Sequence, residues 1–100
     1  MTNAEINLAI AKIEFAGKEL YQCADHVDVR LGAGDYTCVD YCNDWADIGP
    51  IIEREGITVD FWDDNQWISH NNGDTPFVKT RAETPTKAAA LCYLKIKGVE

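Results

Sequence analysis

Residues 41–56 set the strongest limit on the architecture of this chain, because they join a β-forming stretch to an amphipathic run through a Gly-Pro step. Pro50 has no backbone N–H to donate, so a helix tolerates it best in the first turn. The pattern therefore predicts a break near Gly49 and a short helix over about 50–55, ended by Gly56. Such a joint places polar side chains at the start of a helix.

The two ends of the chain carry helical patterns. Thr2 and Glu5 match a capping box ahead of apolar residues at helical spacing, which predicts a helix over about 3–16. The run Thr84-Pro85-Thr86 predicts the start of a second helix, since either threonine can cap it and proline suits a first turn. The predicted buried stripe of that helix is Ala89, Cys92, Tyr93 and Ile96, with Gly98 at its end.

Between the helices, alternation with a period of two and intervening turn residues predict β-strands. The predicted strands lie near residues 27–31, 36–41, 57–62, 66–70 and 77–80, with turns at 32–35, 63–65 and 71–74. The stretch from Leu20 to the first strand carries no clear pattern. We therefore expect an α+β fold, with one antiparallel sheet of about four or five strands and the N-terminal and C-terminal helices packed on one face.

Length and charge narrow the classes of function. One hundred residues fit a single compact domain over positions 1–100. A formal net charge of −8, from 17 acidic and 9 basic residues, disfavours nucleic acid as a partner and favours a basic protein. No apolar stretch has the length of a membrane span, and the N-terminus lacks the basic start and apolar core of a signal peptide.

Neither a metal centre nor a catalytic centre is predicted. Cys38 and Cys42 form the only close cysteine pair, and neither His26 nor His70 has the spacing that would complete a zinc site. The thiols are expected to be reduced and to behave as small apolar side chains. Because a nucleophile, a base and an oxyanion donor cannot be assembled from these residues, we expect a protein that is not an enzyme and has no cofactor.

The polar joint is the candidate ligand-binding site, since a few convergent polar groups beside an aromatic ring suit a small-molecule pocket. Helix starts after Asn43-Asp44 and after Thr84-Pro85-Thr86 would offer amides to a phosphate, and Arg81 or Lys79 would balance its charge. The predicted ligand contacts are Tyr41, Asn43, Asp44, Trp45, Trp67 and Arg81. Packing in the core is the ordinary alternative for each tryptophan.

The segment Tyr41-Cys-Asn-Asp-Trp-Ala-Asp-Ile-Gly-Pro-Ile-Ile resembles the NinX-like family of small tailed-phage proteins, a family of unknown function. The run Glu5-Ile-Asn-Leu-Ala-Ile resembles the N-terminal helix of that family, and Trp67-Ile68 resembles its single tryptophan-bearing strand. The run Thr84-Pro-Thr-Lys-Ala-Ala-Ala-Leu-Cys-Tyr resembles its closing helix, whereas residues 20–35 show no match. The resemblance implies a phage accessory protein in the cytoplasm of the infected bacterium, and it implies no reaction.

Small phage accessory proteins without catalytic residues often counter host defences, which leaves two hypotheses of different class. In the first, the protein binds and sequesters a small nucleotide-derived signal, and a homo-oligomer would complete a pocket that is shallow in one copy. The alternative is an acidic inhibitor that binds a basic host or defence protein. A structural or regulatory phage protein with no role in defence is the third interpretation.

Overall fold

The computed structural model describes residues 1–62, 65–71 and 77–99. In these ranges the chain forms three α-helices and six β-strands. In chain order they are α1 (Asn3–Glu14), β1 (Leu20–Gln22), β2 (Val27–Gly32), β3 (Asp35–Val39), α2 (Trp45–Glu55), β4 (Ile57–Phe61), β5 (Trp67–Asn71), β6 (Lys79–Ala82) and α3 (Pro85–Ile96). The predicted turn residues 63–64 and 72–74 lie outside the described ranges. No helix within those ranges is long and apolar enough to cross a membrane.

The strands form two separate three-stranded antiparallel sheets, in the orders β1-β2-β3 and β4-β5-β6. The α+β class is therefore confirmed, but the prediction of one sheet of four or five strands is wrong. Helix α2 separates β3 from β4 along the chain, so the strand pairing stops at β3 and begins again with β4. The helices also divide between the sheets, since α1 packs on β1 and β2 while α3 packs on β4, β5 and β6.

Helix α1 begins with the predicted capping box. The Thr2 backbone N–H donates to Glu5 Oε1 at 2.7 Å, and the Glu5 backbone N–H donates to Thr2 Oγ1 at 3.2 Å. Ile6 and Ile10 are fully buried on the face that meets α3 and the first sheet. Satisfied end groups and one buried apolar face are what a short helix needs to be stable in a folded domain.

Helix α2 is continuous, and the predicted break with a short helix around Pro50 is wrong. Asp44 caps its start by accepting a first-turn N–H at 2.9 Å, and Pro50 is its sixth residue. Ile48 and Ile51 are buried, so packing of this face offsets the backbone hydrogen bond that proline cannot donate. Gly56, with a φ of 67°, ends the helix as predicted.

The core lies between the helices and the inner faces of both sheets. Its largest fully buried apolar side chains are Tyr93, Ile6, Ile10, Ile48, Leu94, Val27 and Val29. Of the two threonines predicted as alternative caps of α3, Thr84 is the cap. Ala89, Cys92 and Tyr93 of the predicted stripe are buried, whereas Ile96 is half-buried. Because α3 packs against both other helices and the second sheet, it is the central element of the fold.

Candidate functional site

A surface cleft of about 450 Å³ lies where the start of α3 meets the end of β6 and the joint before α2, and we call it the α3 cleft. The polar residues that line it are Asn3, Asn43, Gln66, Arg81, Glu83, Thr84 and Lys87. A smaller hollow of about 290 Å³ adjoins it along α3 and shares Met1, Arg81 and Leu91 with it. The volume of the cleft falls within the range of small-molecule sites.

The buried hydroxyl of Thr86 brings the two sides of the α3 cleft together. Its Oγ1 donates a hydrogen bond to the backbone carbonyl of Cys42. This bond holds the first turn of α3 against the joint that follows β3. Because Asn43 follows Cys42 and Lys87 follows Thr86, both side chains reach the lining of the cleft.

The α3 cleft and the adjoining hollow concentrate positive charge on an acidic protein. Arg81 and Lys87 line the cleft, and Lys79 and Lys95 line the hollow. Among the described residues these cations have no carboxylate within 4.0 Å, whereas both other arginines of the chain are ion-paired. Glu83 adds one acidic group to the cleft. The balance of charge at this place is therefore opposite to that of the whole chain.

Asn43 and Arg81 are the two predicted contacts that the structure brings into one cleft. The Asn43 amide nitrogen donates to both carboxylate oxygens of Asp40, at 3.3 and 3.1 Å. Its side-chain oxygen accepts no hydrogen bond from the described residues, so this oxygen is the group that a ligand donor would meet. The guanidinium of Arg81 carries only hydrogen-bond donors, so it would meet an acceptor atom of the ligand.

The remaining predicted contacts do not line the α3 cleft. Tyr41 is 3% exposed and belongs to the core, and Asp44 is the cap of α2. Trp45, the first residue of that helix, is 52% exposed. Trp67 packs edge-on against Phe61, with ring centroids 5.1 Å apart. The predicted site is thus divided among a core residue, a helix cap and aromatic groups on different elements.

Trp45 lies in the chain between Asp44 and Asp47, which together with Asp40 form an acidic surface. The Asp40 backbone N–H donates to Asp47 Oδ2 at 2.8 Å, and the Asp44 N–H donates to the Asp40 carbonyl at 2.9 Å. Burial raises the pKa of Asp47 in spite of the first bond, and the charges of Asp44 and Asp40 add to the rise. Like charges held this closely favour a cationic partner.

Sequence reasoning missed Lys87, Gln66 and Asn3 as residues of the α3 cleft. A signal for Lys87 was present, because it lies in the first turn of the helix whose start was predicted to be open to a phosphate. Its backbone N–H donates to Thr84 Oγ1 at 3.3 Å, which fixes the residue in that turn. Gln66 and Asn3 reach the cleft only through tertiary packing, so no local pattern could indicate them.

Comparison with protein families identifies the chain. The family model described as Bacteriophage P22, NinX matches residues 1–97. The chain belongs to the NinX family. The resemblance carried by residues 41–52 is therefore confirmed, and the NinX match also includes residues 20–35, where no likeness was recognised. Comparison with curated proteins finds no match.

The α3 cleft of this NinX-family protein has the chemistry of a binding site. Its described lining contains two cations, neutral hydrogen-bonding groups and the carboxylate of Glu83, and neither a histidine nor a cysteine. The side chains in the described ranges that are arranged like metal ligands lie elsewhere, at Cys23, His26 and Asp28, whose candidate ligand atoms are all within 4.8 Å of one another. The cleft therefore offers charge and hydrogen bonds to an anion.

Proposed function

We propose that this NinX-family protein binds a small anionic, nucleotide-derived ligand in the α3 cleft and sequesters it without catalysis. The observation that carries the proposal is the pair Arg81 and Lys87, which line one cleft on a chain of net charge −8 and have no carboxylate partner among the described residues. A cation without a partner loses no existing ion pair when a phosphate binds. Arg81 supplies a planar pair of donors, and Lys87 supplies a point charge.

The neutral part of the lining supports a nucleotide-sized ligand over inorganic phosphate. Asn43, Gln66 and Thr84 are donors and acceptors of the kind that read a sugar or the edge of a base. A cleft of about 450 Å³ also exceeds the space that a single phosphate group fills. Leu91 adds an apolar surface on which a base can rest.

Counter-defence is the proposed biological role, because the chain belongs to a phage family and its cleft offers charges and hydrogen-bonding groups to a small ligand. A protein that holds an immune signal tightly lowers its free concentration, and this requires affinity and abundance only. The proposed place of action is the cytoplasm of the infected host. A homo-oligomer would cover the exposed side of the cleft and raise its affinity.

The test is a thermal shift of the purified protein against nucleotides, cyclic dinucleotides and ADP-ribose derivatives. A ligand at about 100 times its dissociation constant adds about 2.7 kcal/mol of stability, which raises the melting temperature measurably. We expect one chemical class to give that rise and to be recovered unchanged from the complex by mass spectrometry. A panel without any rise would overturn the proposal, and recovery of a cleaved ligand would overturn the absence of catalysis.

Variants assign the response to the cleft. Arg81→Gln and Lys87→Gln should each abolish most of the shift while leaving the melting temperature of the free protein unchanged, since both side chains extend from the surface. Lys18→Gln is the matched control, because this exposed lysine does not line the cleft. If all three variants respond like the parent protein, the ligand binds outside the α3 cleft and the site assignment is wrong.

The acidic surface favours a second candidate, an inhibitor that binds a basic host or defence protein. Asp40, Asp44 and Asp47 lie together beside the half-exposed Trp45, and tryptophan is a frequent anchor in protein interfaces. This candidate predicts capture of a host protein that weakens as salt rises. Asp44→Asn keeps the helix cap and removes the charge, so it should reduce capture, whereas Arg81→Gln should not.

A further inference from the structure

The turn between β1 and β2 brings a cysteine and a histidine face to face. The Cys23 backbone N–H donates to the His26 carbonyl at 2.9 Å, so these residues continue the β1–β2 pairing beyond Gln22 and Val27. Cross-strand partners project to the same side of a sheet, and the side changes at each step along a strand. Cys23, His26 and Asp28 therefore share the outer face, opposite the buried Val27.

The distances among these side chains are those of ligands around one ion. Cys23 Sγ lies 3.8 Å from Asp28 Oδ2, and His26 Nε2 lies 3.2 Å from Asp28 Oδ1. In a tetrahedral zinc site, with metal–sulfur bonds of ~2.3 Å and metal–nitrogen or metal–oxygen bonds of ~2.0–2.1 Å, neighbouring ligand atoms are about 3.3–3.6 Å apart. A small movement of these half-exposed side chains would reach that geometry.

Asp25 provides a second, independent feature of a metal site. Its Oδ1 lies 2.7 Å from His26 Nδ1 and accepts a hydrogen bond from the Nδ1–H. The other ring nitrogen, Nε2, is then on the side of Cys23 and Asp28. Histidines that bind a metal usually donate the other ring N–H to a carboxylate in this way, which fixes the tautomer and the orientation of the ring.

Cys38 supplies a fourth candidate ligand. It is the direct cross-strand partner of Asp28 in the β2–β3 pairing, so its side chain projects from the same outer face. Its sulfur lies outside the group whose ligand atoms are all within 4.8 Å of one another, so the Cys38 side chain would turn toward Asp28 to reach the ion. In the sequence Cys38 is close to Cys42, but Cys42 is buried with its Sγ 3.8 Å from the Asn3 carbonyl, so the two cysteines do not form a metal-binding pair.

We propose that Cys23, His26 and Asp28 bind one divalent ion of the zinc class, with Cys38 as its fourth ligand. Thiolate, imidazole and carboxylate together suit zinc, which is borderline in softness and accepts all three in a tetrahedral arrangement. The ion would join the β1–β2 turn to β3, and so would fix a sheet whose outer strand is only three residues long. The site lies outside the α3 cleft and is independent of the proposed ligand.

The experiment is a titration of the metal-free, phosphine-reduced protein with Co²⁺, followed by displacement with Zn²⁺. Cobalt in a tetrahedral thiolate site gives visible ligand-field bands and a thiolate-to-cobalt charge-transfer band. We expect both bands to saturate at one ion per chain and to disappear when Zn²⁺ is added. Bands that do not saturate, or their absence, would show that His26 and the carboxylates form an ion-pair cluster only and would overturn the proposal.

Variants test each role separately, with circular dichroism to verify the fold. Cys23→Ser should reduce the charge-transfer intensity by about half and weaken binding by more than about 100-fold, because the loss of a ligand costs more than the loss of a supporting carboxylate. Asp25→Asn should weaken binding by about 10–100-fold while keeping the spectrum. Unchanged affinity in Cys23→Ser would overturn the site.

Two further variants complete the assignment. His26→Gln should abolish tetrahedral binding, whereas His70→Gln should not. His70 also faces a carboxylate, Asp60 at 3.6 Å, but it belongs to no group of metal-ligand side chains among the described residues. Cys38→Ser should reduce the charge-transfer intensity by about half, because one of two thiolates is lost. An unaltered spectrum in Cys38→Ser would remove Cys38 from the ligand set.

Discussion

Arg54 and Glu14 form a bidentate ion pair that joins α2 to the last residue of α1, with nitrogen–oxygen distances of 2.9 and 2.8 Å. Tyr93 of α3 donates its hydroxyl to the same carboxylate and lies with its ring 5.9 Å from the guanidinium carbon. Three helices therefore meet at one carboxylate that is only 17% exposed. Paired donors on a carboxylate give this contact more directional strength than a single surface ion pair has.

The first prediction concerns the pH dependence of stability. The hydrogen bonds from Arg54 hold the pKa of Glu14 below its ordinary value of 4.5. A lowered folded-state pKa means that the contribution is fully present above pH 4.5 and is lost as the pH falls through the folded-state value. Glu14→Gln should therefore cost about 1–2 kcal/mol at pH 7 and progressively less in acid. Urea denaturation from pH 7 to pH 3 measures this, and a constant difference between variant and parent would contradict it.

The second prediction concerns Asn7, a fully buried amide in α1. Its nitrogen donates to Asp40 Oδ1 at 3.0 Å and to the Asp25 carbonyl at 3.4 Å, and its oxygen accepts the Cys42 N–H at 3.2 Å. Asn7→Asp keeps the acceptor but replaces both donors with a charge that faces Asp40. We expect a loss of about 2–4 kcal/mol at pH 7, because a buried charge without a cationic partner remains.

The control for that prediction is Asn7→Leu, which has a similar branched shape, leaves the Cys42 N–H without its partner and removes one donor from the Asp40 carboxylate, but adds no charge. It should cost about 1–3 kcal/mol at every pH. The cost of Asn7→Asp should shrink toward acid, since protonation of the new carboxyl removes its charge. Parallel pH profiles for the two variants would show that charge is not the cause.

Local chemistry explains which parts of the fold the sequence predicted. Helix ends depend on local chemistry. The caps Thr2 and Thr84 begin α1 and α3, and Gly56, in the left-handed region, ends α2, each within the run of residues where the sequence predicted it. The division into two sheets depends on which strands pair across distant parts of the chain, and hairpin patterns are the same in either arrangement. The sequence predicted a break at Pro50, because proline lacks the backbone N–H of a helix interior. Helix α2 is continuous because the burial of isoleucines on one face outweighs that missing hydrogen bond.

For the candidate site too, the sequence predicted individual residues but not which of them lie together. Asn43 and Arg81 were identified as single polar and charged residues, but their meeting depends on the bond from Thr86 to the Cys42 carbonyl, which no local pattern reveals. Tyr41 precedes that joint and has the polar tip of a ligand contact, yet its ring fills the core. Residue type indicated the chemistry, and tertiary packing decided which residues share a surface.

The third prediction uses two glycines with equal space and different backbone geometry. An added Cβ meets nothing within 4 Å at either Gly49 or Gly56, but Gly56 has a φ of 67°. Gly49→Ala should stabilise the protein by about 0.5–1 kcal/mol, because alanine favours a helix interior. Gly56→Ala should destabilise it by about 1 kcal/mol, because an L side chain is strained there. Thermal denaturation of both variants measures the signs, and two changes of the same sign would contradict the reading of α2 as continuous.

The fourth prediction ranks the four free cysteines by their reaction with a thiol reagent. Burial raises the pKa of Cys42 to about 12 and also raises that of Cys92, and both are 0% exposed. The thiolate is the reactive form, so both should remain unmodified while the fold is intact, whereas the exposed Cys38 and half-buried Cys23 react.

Intact-mass spectrometry after labelling at pH 8 should therefore show two additions in the native protein and four in denaturant. Saturating Zn²⁺ should reduce the native number to zero, since the proposed ion binds the two reactive sulfurs, Cys23 and Cys38. Cys23→Ser supplies the control, because with a ligand removed its single remaining reactive thiol should label equally with and without the ion. Rapid native labelling of Cys42 would show that the joint before α2 opens, which would also separate the two sides of the α3 cleft.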